Sequence, residues 1–221
     1  MKKLFSSDKL YKIFIYVALI TLAVSIIVPV AWVFMASIKE NSEFYGNPWS
    51  IPAGIYLQNF VNAFEQANMG EYLLNSILTT AMALVILLVV SLPAAYVLAR
   101  YNFKGRRFFN TLFMAGLFIN VNYIVVPIFL MLLDWDDFIY ELLGGNFFLN
   151  NIFVLAVVYA ATAIPFTVYL LSGYFKTLPK AYEEAALIDG CGYYKTMVRV
   201  MIPMAKPSII TVILFNFLAF W

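Results

Sequence analysis

Residues 72–99 read Tyr72-Leu-Leu-Asn-Ser-Ile-Leu-Thr-Thr-Ala-Met-Ala-Leu-Val-Ile-Leu-Leu-Val-Val-Ser-Leu-Pro-Ala-Ala-Tyr-Val-Leu-Ala99, without one charged side chain. A helix needs roughly 20 such residues to cross a hydrocarbon core of about 30 Å. Three more uncharged runs exceed that length: Ile13 to Ile38, Phe108 to Leu133 and Asn151 to Phe175. Transmembrane β-strands are only about 9–11 residues long and alternate in polarity. These runs are longer and apolar all round, so they are predicted to be membrane-spanning helices. The first is too long for the roughly 7–15-residue apolar core of a cleaved signal peptide. A fifth apolar stretch begins at Pro207 and reaches Trp221. Its rise at 1.5 Å per residue is only about 22 Å, short of a crossing. The sequence therefore predicts an all-α polytopic protein with five spans, the fifth incomplete, in a chain truncated from a longer one.

Composition agrees with that class. The chain has 221 residues, of which 64% are hydrophobic and 12% charged. A soluble domain averages roughly 45–50% apolar and about 25% charged. An ordinary cytosolic domain and a disordered chain are both excluded. There is no histidine and one cysteine, which removes His-based acid–base chemistry, His metal sites and a disulfide framework. No metal site and no catalytic residue is expected. Walker-type G-x-x-x-x-G-K is absent, so the chain shows no means of hydrolysing ATP itself. No internal repeat or second domain is visible, and residues 1–221 read as a single transmembrane domain.

Lys and Arg set the orientation. Residues 1–12, 100–107 and 176–206 hold 13 of the 14 basic residues; residues 39–71 and 134–150 hold only Lys39. The two sets are almost equal in length, so length does not explain the bias. The positive-inside rule places the first set, and the N-terminus, in the cytoplasm. Eight of the twelve acids, among them Asp134, Asp136, Asp137 and Glu141, lie on the other side. In the first external loop, Leu57, Phe60, Val61 and Phe64 form an apolar stripe on a short helix. It lies either on the membrane surface or against the helix ends. The basic turn Arg100 to Arg107 is expected to anchor topology near anionic lipid.

The segment from Lys176 to Lys206 is much longer than a helix-to-helix turn requires. Thr177-Leu178-Pro179 reads as a helix start. Ala181, Ala185 and Ile188 then share a face, and Gly190 is a left-handed stop. A second helix is predicted from about Tyr193 to Val200, broken by Pro203 and Pro207. This helix–glycine–helix unit is either a knob that docks into a soluble partner or a connector lying on the membrane. For a knob, Ala185 and Ala186 permit close backbone approach, and Glu183, Glu184 and Asp189 offer acceptors to Arg or Lys.

These residues resemble the cytoplasmic signature of ABC importer permeases, the EAA motif: E-A-A, three residues, G, nine residues, I-x-L-P. The chain has Glu184-Ala185-Ala186, Gly190, nine residues, then Val200-x-Ile202-Pro203. Val stands for Ile and Ile for Leu. Asp189 before Gly190 also looks typical. Asn75-Ser76, Ala95-Tyr96, Ala99-Arg100, Pro165-Phe166 and the Phe217 to Trp221 run extend the likeness over nearly the whole chain. The chain is thereby similar to carbohydrate permeases of the maltose/maltodextrin type. The resemblance implies the type I permease fold, usually of six spans, in a bacterial cytoplasmic membrane. It implies a heterodimer with a second permease, two cytoplasmic ATPase subunits carrying ATP and Mg, and an extracellular solute-binding protein. It assigns ATPase coupling to Glu184, Ala185, Ala186, Asp189, Gly190 and Pro203. Nucleic acid is not an expected partner.

Polar residues at membrane depth are candidates for the solute path. Asn120 and Asn122 lie near the centre of the third run. Asn216 is about 14 Å beyond Pro207, at similar depth. With Tyr123 they offer neutral donors, acceptors and an aromatic face suited to sugars; the alternative role is hydrogen bonding between helices. Three rival functions remain beside a permease of the same type for a non-sugar solute. An ion-coupled transporter needs ionisable groups inside the spans, and none is present. A membrane enzyme needs a nucleophile or metal constellation. A membrane scaffold has no need of the EAA spacing.

Overall fold

The computed structural model describes residues 7–145 and 147–221; Lys2 and Lys3 of the N-terminal basic segment lie outside them. All regular structure among the described residues is helical. The chain divides into two compact units, Met1–Tyr72 and Leu73–Trp221.

In the first unit, α1 (Ser7–Ser37) contains the predicted first span. Its apolar residues are exposed on all sides, as suits a helix bathed in lipid or facing another subunit. Beyond it come α2 (Asn41–Gly46) and α3 (Gln58–Gln66). Their loop is built around Lys39, which is only 1% exposed. Its Nζ donates to the carbonyls of Asn47 (3.2 Å) and Pro48 (3.1 Å) and to Ser50 Oγ (3.1 Å). Asn59 Nδ2 donates to the carbonyls of Ser37 and Lys39, tying α3 to the end of α1. The one basic residue of the acidic side is thus a structural pin, not a surface charge.

The second unit is organised on α4 (Met69–Arg100), which begins just before it, and α7 (Ile152–Thr177). Both are long and apolar enough to span a membrane. Their buried faces, with Ala95, Tyr96 and Ala99 on one and Val168, Leu171 and Phe175 on the other, form the core. Alanines at 95 and 99 keep the backbone surface low, so neighbouring helices approach closely.

The third predicted span is not one straight helix. It divides into α5 (Arg106–Gly116) and α6 (Val121–Leu143), bent by 101°. Two local causes are visible. Leu117, Phe118 and Ile119 donate to carbonyls three residues back, tightening the end of α5. Asn120 then starts a new helix, its side-chain oxygen accepting the Asn122 N–H at 2.9 Å. Asn151 caps α7 in the same way through Phe153.

The loop joining α6 to α7 hangs on Asp136, which is 2% exposed. Its carboxylate accepts the N–H groups of Phe147, Phe148 and Leu149, each at 2.7 Å. Hydrogen bonds to a charged group are worth about 1.5–3 kcal/mol each. Asp136→Ala is expected to lower the thermal unfolding midpoint of the detergent-solubilised protein clearly and to expose residues 144–151 to protease. Asp136→Asn should fall between Ala and the native residue. Unchanged melting and proteolysis in Asp136→Ala would remove the anchor role.

Candidate functional site: the coupling segment

After α7 the chain forms α8 (Ala181–Ile188), α9 (Tyr193–Thr196), a π-helical turn (Met197–Met201), α10 (Ile202–Met204) and α11 (Lys206–Phe220). The helix–glycine–helix reading therefore holds in outline, with three corrections. Thr177-Leu178-Pro179 closes α7 and leads into α8, which begins at Ala181. Pro203 does not break the second helix. The π-helical turn just before it shifts the hydrogen-bond register, so the missing N–H and the ring are accommodated. The break falls at Ala205, where the axis turns by 73° into α11.

Gly190 sits at φ +76°, the left-handed region open to glycine. Its N–H donates to the Leu187 carbonyl at 3.1 Å, and the Cys191 N–H donates to the Ala186 carbonyl at 2.9 Å. Those two bonds form the Schellman motif, which closes α8 and reverses the chain.

Burial sorts the side chains of α8. Glu184, Ala185, Asp189 and Gly190 are exposed, and so are Ala181 and Ile188. Ala181, Glu184, Ala185 and Ile188 follow the spacing of one helical face, and Tyr182 and Leu187 are exposed as well, so this eight-residue helix turns outward a surface that is acidic at Glu184 and otherwise largely apolar. Ala186 is buried and belongs to the inward face. Ala185 and Ala186 therefore do not form one contact surface, because the helical turn separates them. Cys191 is a free, half-buried thiol beside the cap.

The inward face carries a polar cluster that motif spacing did not reveal. Glu183 Oε1 accepts the Tyr96 hydroxyl at 2.8 Å and lies 3.5 Å from Arg100 Nε. Arg100 Nη2 donates to the Leu178 carbonyl at 2.6 Å. The Tyr96 ring packs edge-on against Phe175 and Tyr101, and Tyr101 against Tyr193. Two stretches that the charge bias assigned to the same side, 100–107 and 176–206, therefore meet at one end of the second unit.

The solute-path candidates fall into two different environments. Asn120 is the cap at the break between α5 and α6, and Asn122 and Tyr123 follow it, all three exposed. Asn216 is buried, and its Nδ2 donates to Thr167 Oγ1 at 3.2 Å and to the Val212 carbonyl at 2.8 Å. It joins α11 to α7. A cavity of about 510 Å³ runs along α6 and α7, lined by residues such as Val125, Phe129, Leu155 and Tyr159. None of the four candidates lines it. Asn216→Ala is expected to lower thermal stability by about 0.6–2 kcal/mol while leaving solute affinity unchanged. A loss of affinity at unchanged stability would return Asn216 to the solute path.

Residues 88–221 match the family described as binding-protein-dependent transport system inner membrane component. The chain belongs to this family. The permease is 38% identical over 216 residues to the diacetylchitobiose uptake system permease protein NgcG of Streptomyces coelicolor, covering 98% of this chain and 68% of that protein. It is 33% identical over 197 residues to the probable ABC transporter permease protein YurM of Bacillus subtilis, covering 89% of this chain and 62% of that protein. Its fold is similar to a chain in the crystal structure of a bacterial ABC transporter involved in the import of the acidic polysaccharide alginate. That likeness has a TM-score of 0.80 and 25% identity, and it covers 100% of this chain and 74% of the other. The permease is thus a multi-pass membrane component of a transport system, with the type I fold, and its relatives are permease subunits rather than enzymes.

Proposed function

We propose that this permease forms part of the path by which an ATP-driven, binding-protein-dependent importer takes up a sugar or oligosaccharide. Both units, residues 1–221, belong to one transmembrane permease domain, with 176–206 as its coupling segment. A second permease completes the path, and an extracellular binding protein delivers solute. Two cytoplasmic ATPase subunits hold ATP and Mg and carry out the hydrolysis; the permease itself holds no cofactor. The N-terminus and the coupling segment face the cytoplasm of a bacterium, with the basic turn at the lipid headgroups.

The observation that carries this reading is the outward face of α8. It is short, exposed and capped by a glycine in the left-handed region, so it fits a cleft in a soluble partner. Glu184 and Asp189 supply acceptors for that partner's cations. Closure of the ATPase pair on ATP displaces α8 and reorients the permeases between two states. A carbohydrate solute is supported by the diacetylchitobiose and alginate systems among the similar proteins.

The test uses the transporter assembled in proteoliposomes with its ATPase subunits and binding protein. Radiolabelled diacetylchitobiose, maltose and an alginate oligosaccharide are offered in turn. ATP-dependent uptake of at least one, lost without the binding protein, is expected. Uptake of none of them, with an amino acid or ion transported instead, contradicts the carbohydrate assignment.

A further inference from the structure

We infer that Glu183 and Arg100 are positioning residues that make α8 and the end of α4 move as one body, so that displacement of α8 reaches a membrane span. The inference rests on the reading of α8 as the ATPase contact.

An eight-residue helix outside the membrane transmits motion only through stiff connections. At neither end does the main chain continue α8 directly into a membrane span. Leu178 to Lys180 is a non-helical link before it, and Gly190 is a reversing turn after it. The connection from α8 to α4 is made by side chains on the inward face. Arg100, at the end of α4, has a side chain only 6% exposed, and that of Glu183 is 18% exposed. Separating the two would leave a buried charge uncompensated, which is strongly unfavourable.

Each partner is also fixed to a second element. Arg100 holds the Leu178 carbonyl at the end of α7. Glu183 is held by the hydroxyl of Tyr96, one turn back along α4, whose ring is itself wedged against Phe175. Thus α4, α7 and α8 are clamped at one point. Between the charged pair the contact is ionic, because the buried Arg100 Nε makes no hydrogen bond at 3.5 Å. Tyr96 and Leu178 supply the directed bonds, and the charges supply the attraction that resists separation.

Two measurements on the assembled transporter test this, with the double variant Arg100→Gln/Glu183→Gln as the main probe. That variant removes both charges, so no unpaired charge remains in the buried site; Glu183→Gln alone is the companion. The first measurement is crosslinking of Cys191 to the ATPase subunit, which reports docking of α8. The second is the pulsed spin-label distance between Cys191 and a label at Val97→Cys on α4, with and without ATP.

In the otherwise native protein, Cys191 is expected to crosslink, and the Val97–Cys191 distance should be narrow and unaffected by ATP. In the double variant, crosslinking should stay within about twofold, while ATP shifts or broadens the distance and ATP-driven uptake falls about tenfold. Crosslinking together with an ATP-independent distance in both variants overturns the inference and leaves the coupling reading standing. Absence of crosslinking in the native protein overturns the coupling reading itself, and the inference with it.

Discussion

Gly190→Pro is expected to abolish transport while the permease still inserts into the membrane. Proline fixes φ near −65°, whereas residue 190 sits at +76°. It also lacks the N–H that reaches the Leu187 carbonyl. The cap of α8 then does not form, and the outward face is no longer presented. The cause is conformational rather than steric, because a Cβ at this position would meet nothing within 4 Å. A graded series follows from that distinction. Gly190→Asn should retain most activity, since Asn tolerates the left-handed region. Gly190→Ala should lose part of it, at a cost of about 1–2 kcal/mol. Glu184→Lys leaves the fold untouched and reverses a charge on the exposed face, so it should abolish transport through loss of docking alone. Uptake by Gly190→Pro or Glu184→Lys at the native rate, at equal membrane abundance, contradicts the role given to α8.

The second large effect is expected at Gly116→Leu, for the opposite reason. Gly116 ends α5 against α7, and a Cβ there would stand 2.7 Å from Pro165 Cγ and 2.9 Å from its Cβ. Both atoms belong to a rigid ring within a helix, so neither moves aside cheaply. Overpacking of this kind costs about 1–3 kcal/mol for an added methylene or so, and leucine adds several carbons. The packing of α5 on α7 should be disrupted. A lower unfolding midpoint and reduced uptake are expected, with a milder defect for Gly116→Ala. Pro165→Ala should partly rescue Gly116→Ala, because it removes the Cγ that forms the shorter contact. Native stability in Gly116→Leu would show that the two helices separate at little cost.

The spans were legible because a charged side chain is so costly in hydrocarbon that runs of about 25 residues without one mark helices that cross it. The bend at residues 117–120 was not, because the residues on both sides of it are equally apolar. Its local signals, Gly116 and the capping Asn120, were present but were outweighed by the uninterrupted hydropathy. By depth alone Asn120 is a candidate for the solute path, whereas in the fold its oxygen serves the main chain of α6. In residues 176–206, Gly190 was readable because one residue decides its own backbone. Pro203 misled because a π-helical turn, invisible to a period of 3.6, absorbs it. Arg100 and Glu183 are 83 positions apart in sequence, and only the fold brings them together. The charge bias gained meaning from Lys39, whose ammonium is buried among carbonyls and so is no exception to the acidic surface on its side.

This permease is expected to work through an ATPase partner. The most direct measurement is solute uptake by the assembled transporter in proteoliposomes, driven by enclosed ATP, in parallel with a proton or sodium gradient without ATP. Uptake is expected with ATP alone, and is lost when the ATPase subunits are omitted or when Glu184→Lys is introduced. Uptake driven by an ion gradient, unaffected by removal of the ATPase subunits, would contradict it.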